Sequence, residues 1–150
     1  RRDKHVKLAA VFDIDATLLT QQGRIEPVCD LYNYCKTRRG VTPFIITARS
    51  SGGRSYTHKQ LETMEIDGYK RLYMHPEEDA RGLTPDDAGA EKKRSRLKIE
   101  SHNYRICVNA GDAWHDHFNP IPRELARSLG RDAIYAFVTA DGVAHLKLPG

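Results

Sequence analysis

Leu8-Ala9-Ala10-Val11-Phe12-Asp13-Ile14-Asp15-Ala16-Thr17-Leu18-Leu19 is the stretch that decides how this chain is read. Its apolar run, residues 8–12, has the length and composition of a buried strand. The run stops abruptly at two carboxylates one residue apart. In open α/β sheets, ligands bind beyond the carboxyl ends of the strands. Two carboxylates at such an edge need a cation or hydrogen bonds to offset their desolvation. Side chains alternate along a strand, so Asp13 and Asp15 leave it on one face. One carboxylate can then attack phosphorus to form an aspartyl-phosphate while the other moves protons. A divalent metal would offset the charge of an anionic substrate. The competing reading is a polar turn in which an Asp caps a following helix.

Working outward, strand-like and helix-like periodicities alternate. Pro27 suits the first turn of a helix over residues 27–39, and Gly40 suits its stop. A second apolar strand covers 43–47, followed by a loop at 50–53 and a helix at 56–66 closed near Gly68. A short strand fits 71–74, a polar surface loop 76–89, and a Lys/Arg-rich helix 90–102. Another strand, 104–108, runs into Asn109-Ala110-Gly111-Asp112, and a short helix fits 122–129. Two strands, 133–139 and 143–148, flank Asp141-Gly142, a strong hairpin signal. The pattern predicts an α/β fold, a mainly parallel sheet flanked by helices. It reads as one domain over residues 8–150 behind a basic flank at 1–7.

A chain of 150 residues can bury a substantial single core. Its 39% hydrophobic and 29% charged content is that of a soluble globular protein, and no apolar run is long enough to span a membrane. The net charge of +4 favours anionic ligands without establishing nucleic-acid binding. Cys29, Cys35 and Cys107 are an odd, sparse set that argues against a disulfide framework. With no signal peptide to read, the expectation is a soluble, intracellular protein. Cys29 and Cys35, six apart on one helix, should point in different directions, and Cys107 should be a small core residue. Tyr32 and Tyr34 read as packing residues on the same helix.

The other strand ends carry further chemistry. Thr47 in Phe44-Ile45-Ile46-Thr47-Ala48-Arg49 places a hydroxyl where it can donate to a phosphate oxygen, with Arg49 adding positive charge. Asp112, after Gly111, would complete an all-oxygen coordination sphere suited to Mg²⁺, and Asp116 can hold a metal-bound water or orient a neighbour. Taken singly, each of these is matched by a plainer reading as a cap or turn. His115 and His117 form a weak zinc pattern, lacking further paired ligands. Trp114 either stacks on a substrate ring or packs against the sheet edge.

Taken together, Asp13 to Thr17 (Asp-x-Asp-x-Thr), strand-ending Thr47 and Gly111 to Asp116 (Gly-Asp-x-x-x-Asp) resemble three signatures of the haloacid dehalogenase-like (HAD) phosphatases. They fall in the right order, each at a strand end. Asp67-Gly68-Tyr69, His75-Pro76-Glu77-Glu78-Asp79 and Tyr104-Arg105-Ile106 resemble the class C and plant vegetative-storage-type acid phosphatase branch. The resemblance implies a Rossmann-like HAD fold with little or no cap. It implies Asp13 as nucleophile and Asp15 as acid/base, with Thr47 on the phosphoryl group. The metal ligands would be Asp13, Asp112 and the backbone carbonyl of Asp15, with Asp116 in support. A lysine is also implied, and Lys92 fits best, with Lys93 its rival and Arg96 at a following basic position. Thr17, Arg49 and Lys93 are the candidate phosphate-binding residues, Thr17 by buttressing the nucleophile loop. Ala16 departs from the family's usual Gly or Glu.

The leading expectation is therefore a Mg²⁺-dependent phosphomonoester hydrolase acting through an aspartyl-phosphate on Asp13. Its substrate would be a phosphorylated small molecule or nucleotide. The alternatives are a HAD-like domain kept for binding or assembly with little turnover, and a phosphatase of nucleic-acid ends.

Overall fold

The computed structural model describes residues 6–77, 84–117 and 123–150. In chain order its elements are β1 (Lys7–Phe12), β2 (Leu19–Thr20), β3 (Gly23–Arg24), α1 (Glu26–Thr37), β4 (Val41–Ser50) and α2 (Arg54–Thr63). They continue with β5 (Leu72–His75), α3 (Pro85–Ser101), β6 (Tyr104–Gly111), α4 (Arg123–Leu129), β7 (Tyr135–Val138) and β8 (Ala144–Lys147). Short 3-10 turns at Ser51–Gly53 and Trp114–Asp116 lead out of β4 and β6.

Strand β1 organises the core. Ala9, Ala10, Val11 and Phe12 are all buried, and alternation divides them between two layers. Ala10 and Phe12 join the core under α1, where Phe12 meets the edge of Tyr32 at 5.2 Å. Ala9 and Val11 join Ile99 of α3 on the other face. Helices on both faces explain why the strand reads as a continuous apolar run. Among the described residues the main sheet has the order β5-β4-β1-β6-β8-β7, parallel except for β7 on β8. The chain leaves β1 toward β4 on one side and returns to β6 on the other. That reversal opens a crevice at the carboxyl ends of β1, β4 and β6, where the three motifs converge. No second domain stands over this edge among the described residues, and no described helix is long and apolar enough to cross a membrane.

Several boundaries differ from the sequence reading, each for a local reason. β4 passes through Pro43 and beyond Thr47. Pro43 lacks an N–H, but its carbonyl, on the β5 side, accepts from Lys70 N–H at 2.8 Å, and β5 begins only at Leu72. The missing donor therefore costs no ladder bond. α3 begins at Pro85, inside the expected 76–89 loop, because Thr84 forms a capping box with Asp87. The two-residue strands β2 and β3 are too short to leave a periodic signal. Cys29 and Cys35 both border the buried stripe of α1, with Tyr32 between them, whereas Tyr34 is exposed under the Arg38 guanidinium. Cys107 is only partly buried, and all three thiols are free. Of the expected flank and loops, residues 1–5, 78–83 and 118–122 lie outside the described residues.

The outer strands are pinned by buried polar groups. His145 of β8 stacks on Phe137 of β7 at 4.6 Å and meets His117 with Nδ1 to Nδ1 at 3.0 Å. His117 Nε2 faces the Gly111 carbonyl at 3.3 Å, an acceptor only, so Nε2 carries its proton. Asn109 Nδ2 also faces His145 Nδ1, at 3.3 Å. Burial, then the proximity of His117 and Arg96, pulls His145 down from 6.5 to about 4. A histidine depressed on folding favours the native state above its unfolded pKa and loses that contribution as pH falls through the folded one. Urea-unfolding stability is therefore expected to drop between about pH 6.5 and 4. His145→Phe should flatten that part of the profile, and an unchanged profile would contradict the assignment.

Candidate active site

Each strand end delivers its side chain for an identifiable reason. Asp13 continues the alternation of β1 onto the α3 face, and its N–H bonds the Ala110 carbonyl at 3.0 Å, the last rung shared with β6. Its Oδ1 accepts from Ile14 N–H at 2.7 Å. The chain then turns sharply. The Ile14 carbonyl accepts from the N–H groups of Thr17, Leu18 and Leu19 at 3.1, 2.9 and 3.0 Å, and Ala16 sits at φ 59°. That left-handed conformation suits glycine, and here alanine accepts it. Thr17 is fully buried in this turn, and its Oγ has no hydrogen-bond partner among the described residues.

α3 supplies the cation. Ala88, Lys92, Ser95 and Ile99 form its buried stripe, spaced four, three and four apart. Lys92 therefore enters the sheet-facing side while Lys93 is left exposed, lining a separate groove with Arg96 and His145. Lys92 Nζ donates to Asp13 Oδ2 at 2.9 Å and to Asp116 Oδ1 at 3.0 Å, and all three side chains are less than a tenth exposed.

β6 supplies the acids. Gly111 is required there because a Cβ would collide with the Asp116 carboxylate. The following 3-10 turn returns Asp116, whose Oδ2 accepts from Ala113 N–H at 3.3 Å and whose carbonyl accepts from Asn109 Nδ2 at 2.7 Å. Asp13, Asp112 and Asp116 each present an oxygen within 4.8 Å of the others. Thr47, buried at the end of the β4 core run, accepts from Arg49 N–H at 3.1 Å. A cleft of about 220 Å³ is lined by Asp13, Asp15, Thr47, Ala48, Lys92, Asp112 and Ala113.

The electrostatics are unbalanced. Burial pushes the Asp13 carboxyl up to about 8; Lys92 pulls it back, and Asp116 and Asp112 push it up again. Burial alone would lower Lys92, but Asp13 and Asp116 hold its ammonium above the ordinary value. An ion pair should lower its acid while raising its base. Asp13 nevertheless rises, because its burial outweighs the pull of Lys92 and the two further carboxylates add to the push. The remaining charge and the all-oxygen donors fit a hard divalent cation. Asp15 stands apart from the cluster, with its carboxylate on Arg49 and its side chain 63% exposed.

The sequence reading thus has Asp13, Asp15, Thr47, Lys92 and Asp112 on one cleft, with Asp116 beneath it. It does not find Lys93 there, and Arg49 faces Asp15 and α2. Asn109 and His145 had been given no role, and His117 had been weighed only within a weak zinc pattern. Trp114 packs, donating from Nε1 to the Gly130 carbonyl at 2.8 Å under the Lys147 ammonium. His117 is buried and committed to His145 and Gly111, and the His115 side chain lies outside the described residues.

A Rossmann-like sheet whose central strand ends in this aspartate pair, beside a lysine and two more aspartates, defines a HAD-type phosphatase core. The family model for the HAD superfamily, subfamily IIIB (acid phosphatase), matches residues 20–129, and the chain belongs to that family. The match includes Thr47, Lys92, Asp112 and Asp116 and begins after Asp13 and Asp15. Among solved structures, the chain resembles one chain of the Pnkp1/Rnl/Hen1 RNA repair complex, with TM-score 0.63 and 21% identity over 77% of this chain and 39% of that one. A second Pnkp1/Rnl/Hen1 complex gives 0.64 and 20% over 76% and 42%. The likeness is one of fold, and the chain spans about two fifths of the length of those solved chains. No curated protein matches it in sequence.

Removing one partner of a buried ion pair leaves the other charge uncompensated, at roughly 3–5 kcal/mol. Lys92→Met is therefore expected to lower the urea-unfolding free energy of chelator-treated protein by about 3 kcal/mol, and saturating Mg²⁺ should recover part of it. A loss under about 1 kcal/mol would contradict the bridging role of Lys92.

Proposed function

We propose that the protein is a Mg²⁺-dependent phosphomonoester hydrolase that works through an aspartyl-phosphate on Asp13. The observation that carries this reading is the Lys92 ammonium between Asp13 and Asp116, at the edge of a cleft that also holds Thr47 and Asp15. Lys92 orients the Asp13 carboxylate and, with the Thr47 hydroxyl, offers donors to the phosphoryl oxygens. An Asp13 oxygen forms a bond to phosphorus as the bond to the leaving oxygen breaks, and Asp15 gives that oxygen its proton. Asp15, now a carboxylate, takes a proton from water. The water oxygen attacks phosphorus, the bond to Asp13 breaks, and inorganic phosphate leaves.

Asp13, Asp112 and the Asp15 carbonyl, supported by Asp116, would hold Mg²⁺, which when bound supplies charge neutralisation between the phosphoryl group and the nucleophile. The cleft, at about 220 Å³, takes a phosphoryl group together with part of the group that bears it. This suits a nucleotide or another small phosphate monoester. An open cleft equally favours a phosphorylated nucleic-acid end as a second reading, and the structures resembled in fold come from an RNA repair complex.

The test is hydrolysis of aryl phosphate, nucleotides, sugar phosphates and 3′- or 5′-phosphorylated oligonucleotides, with Mg²⁺ and with chelator. Turnover is expected only with the metal, and Asp13→Asn should lower it by roughly a thousandfold or more while keeping the fold. Full activity of Asp13→Asn would refute the nucleophile assignment. A marked preference for oligonucleotides would select the second reading of the substrate.

A further inference from the structure

Arg49 leaves β4 two residues beyond Thr47 with its guanidinium almost fully committed. Nε donates to Asp15 Oδ2 at 2.9 Å and Nη2 to Asp15 Oδ1 at 2.7 Å. Nη1 donates to Thr57 Oγ1 at 3.2 Å and to Gln60 Oε1 at 2.7 Å, both on α2. These four contacts use most of the five N–H donors that a guanidinium carries. Arg49 is also absent from the residues lining the cleft beside Asp13. Its guanidinium is thus spent mainly on Asp15 and α2 rather than on the cleft, which departs from its expected phosphate-binding role.

We infer that Arg49 is a positioning residue for leaving-group protonation, holding the Asp15 side chain over the leaving oxygen from anchors on α2. The inference rests on the reading of Asp13 as nucleophile and Asp15 as acid. In the transfer step the bond from phosphorus to the leaving oxygen breaks, the Asp13 bond forms, and the Asp15 carboxyl proton moves to the leaving oxygen. The two-pronged contact with Arg49 is that of the carboxylate. The α2 anchors at Thr57 and Gln60 fix the guanidinium against which Asp15 rests. At 63% exposure Asp15 would otherwise be free to move among its rotamers. Misplacing a catalytic group by about 1 Å costs on the order of 100-fold.

The leaving group makes this measurable. An acidic phenol departs as its anion without needing a proton, whereas an alkoxide needs one from Asp15. The experiment compares kcat/KM for an aryl phosphate of an acidic phenol with that for a simple alkyl phosphate. The variants are Arg49→Met, Gln60→Leu and Asp15→Asn. Arg49→Met is expected to lower the alkyl value on the order of 100-fold and the aryl value less than about 5-fold. Gln60→Leu, which removes one anchor from a half-exposed position, should show the same selectivity at smaller size. If Asp15→Asn is selective for the alkyl ester while Arg49→Met lowers both substrates equally or neither, the inference is overturned and the acid role of Asp15 stands. If Asp15→Asn is itself unselective, the acid assignment fails and the inference with it.

Discussion

The Lys92 ammonium sits 2.9 Å from Asp13 and 3.0 Å from Asp116, and the rest of the cleft is arranged around that contact. It ties the end of β1, the buried face of α3 and the turn after β6 into one polar cluster. Two buried carboxylates this close would repel each other and be poorly solvated, and a cation between them offsets both penalties. The compensation is incomplete, since Asp112 adds a third negative charge to a single ammonium. That deficit gives the site a use for a divalent cation. It also ties the integrity of the cluster to a residue contributed by a helix rather than by a strand end.

Asp13 and Asp15 are separated by one residue and occupy different environments. Asp13 is buried, accepts from Ile14 and Lys92, and is fixed by a rung to Ala110. Asp15 lies past the start of the turn that Ala16 makes possible and is held at the surface by Arg49. Unlike surroundings are how two identical side chains come to take different roles. A fixed carboxylate suits attack on phosphorus, and one in contact with solvent suits proton exchange with a leaving group and then with water.

Much of this was legible because strand ends are sharp signals. Apolar runs ending in Asp13, Thr47 and Gly111-Asp112 could be ordered along a parallel sheet without coordinates, and the sheet brings them to one crevice. Lys92 could have been separated from Lys93 by register alone, since Ala88, Lys92, Ser95 and Ile99 share a helical face. The stripe is obscured because it holds a lysine and a serine where apolar residues are usual. Thr84-Pro85-Asp86-Asp87 is a readable helix start that the surrounding polar loop hid. The partner of Arg49 was not legible, because Thr57 and Gln60 meet it only through the packing of α2 on β4. The same holds for His145, which reaches His117 across 28 residues of chain through the pairing of β8 with β6.

The most direct measurement is to trap the intermediate. Asp15→Asn protein, incubated with Mg²⁺ and an aryl phosphate of an acidic phenol, would be quenched in acid, digested and mapped by mass spectrometry. The expected result is one added phosphoryl group, hydroxylamine-labile, on the peptide that carries Asp13, and none in the Asp13→Asn protein. Turnover of the same ester with the label absent from Asp13, or present on another residue, would contradict the account.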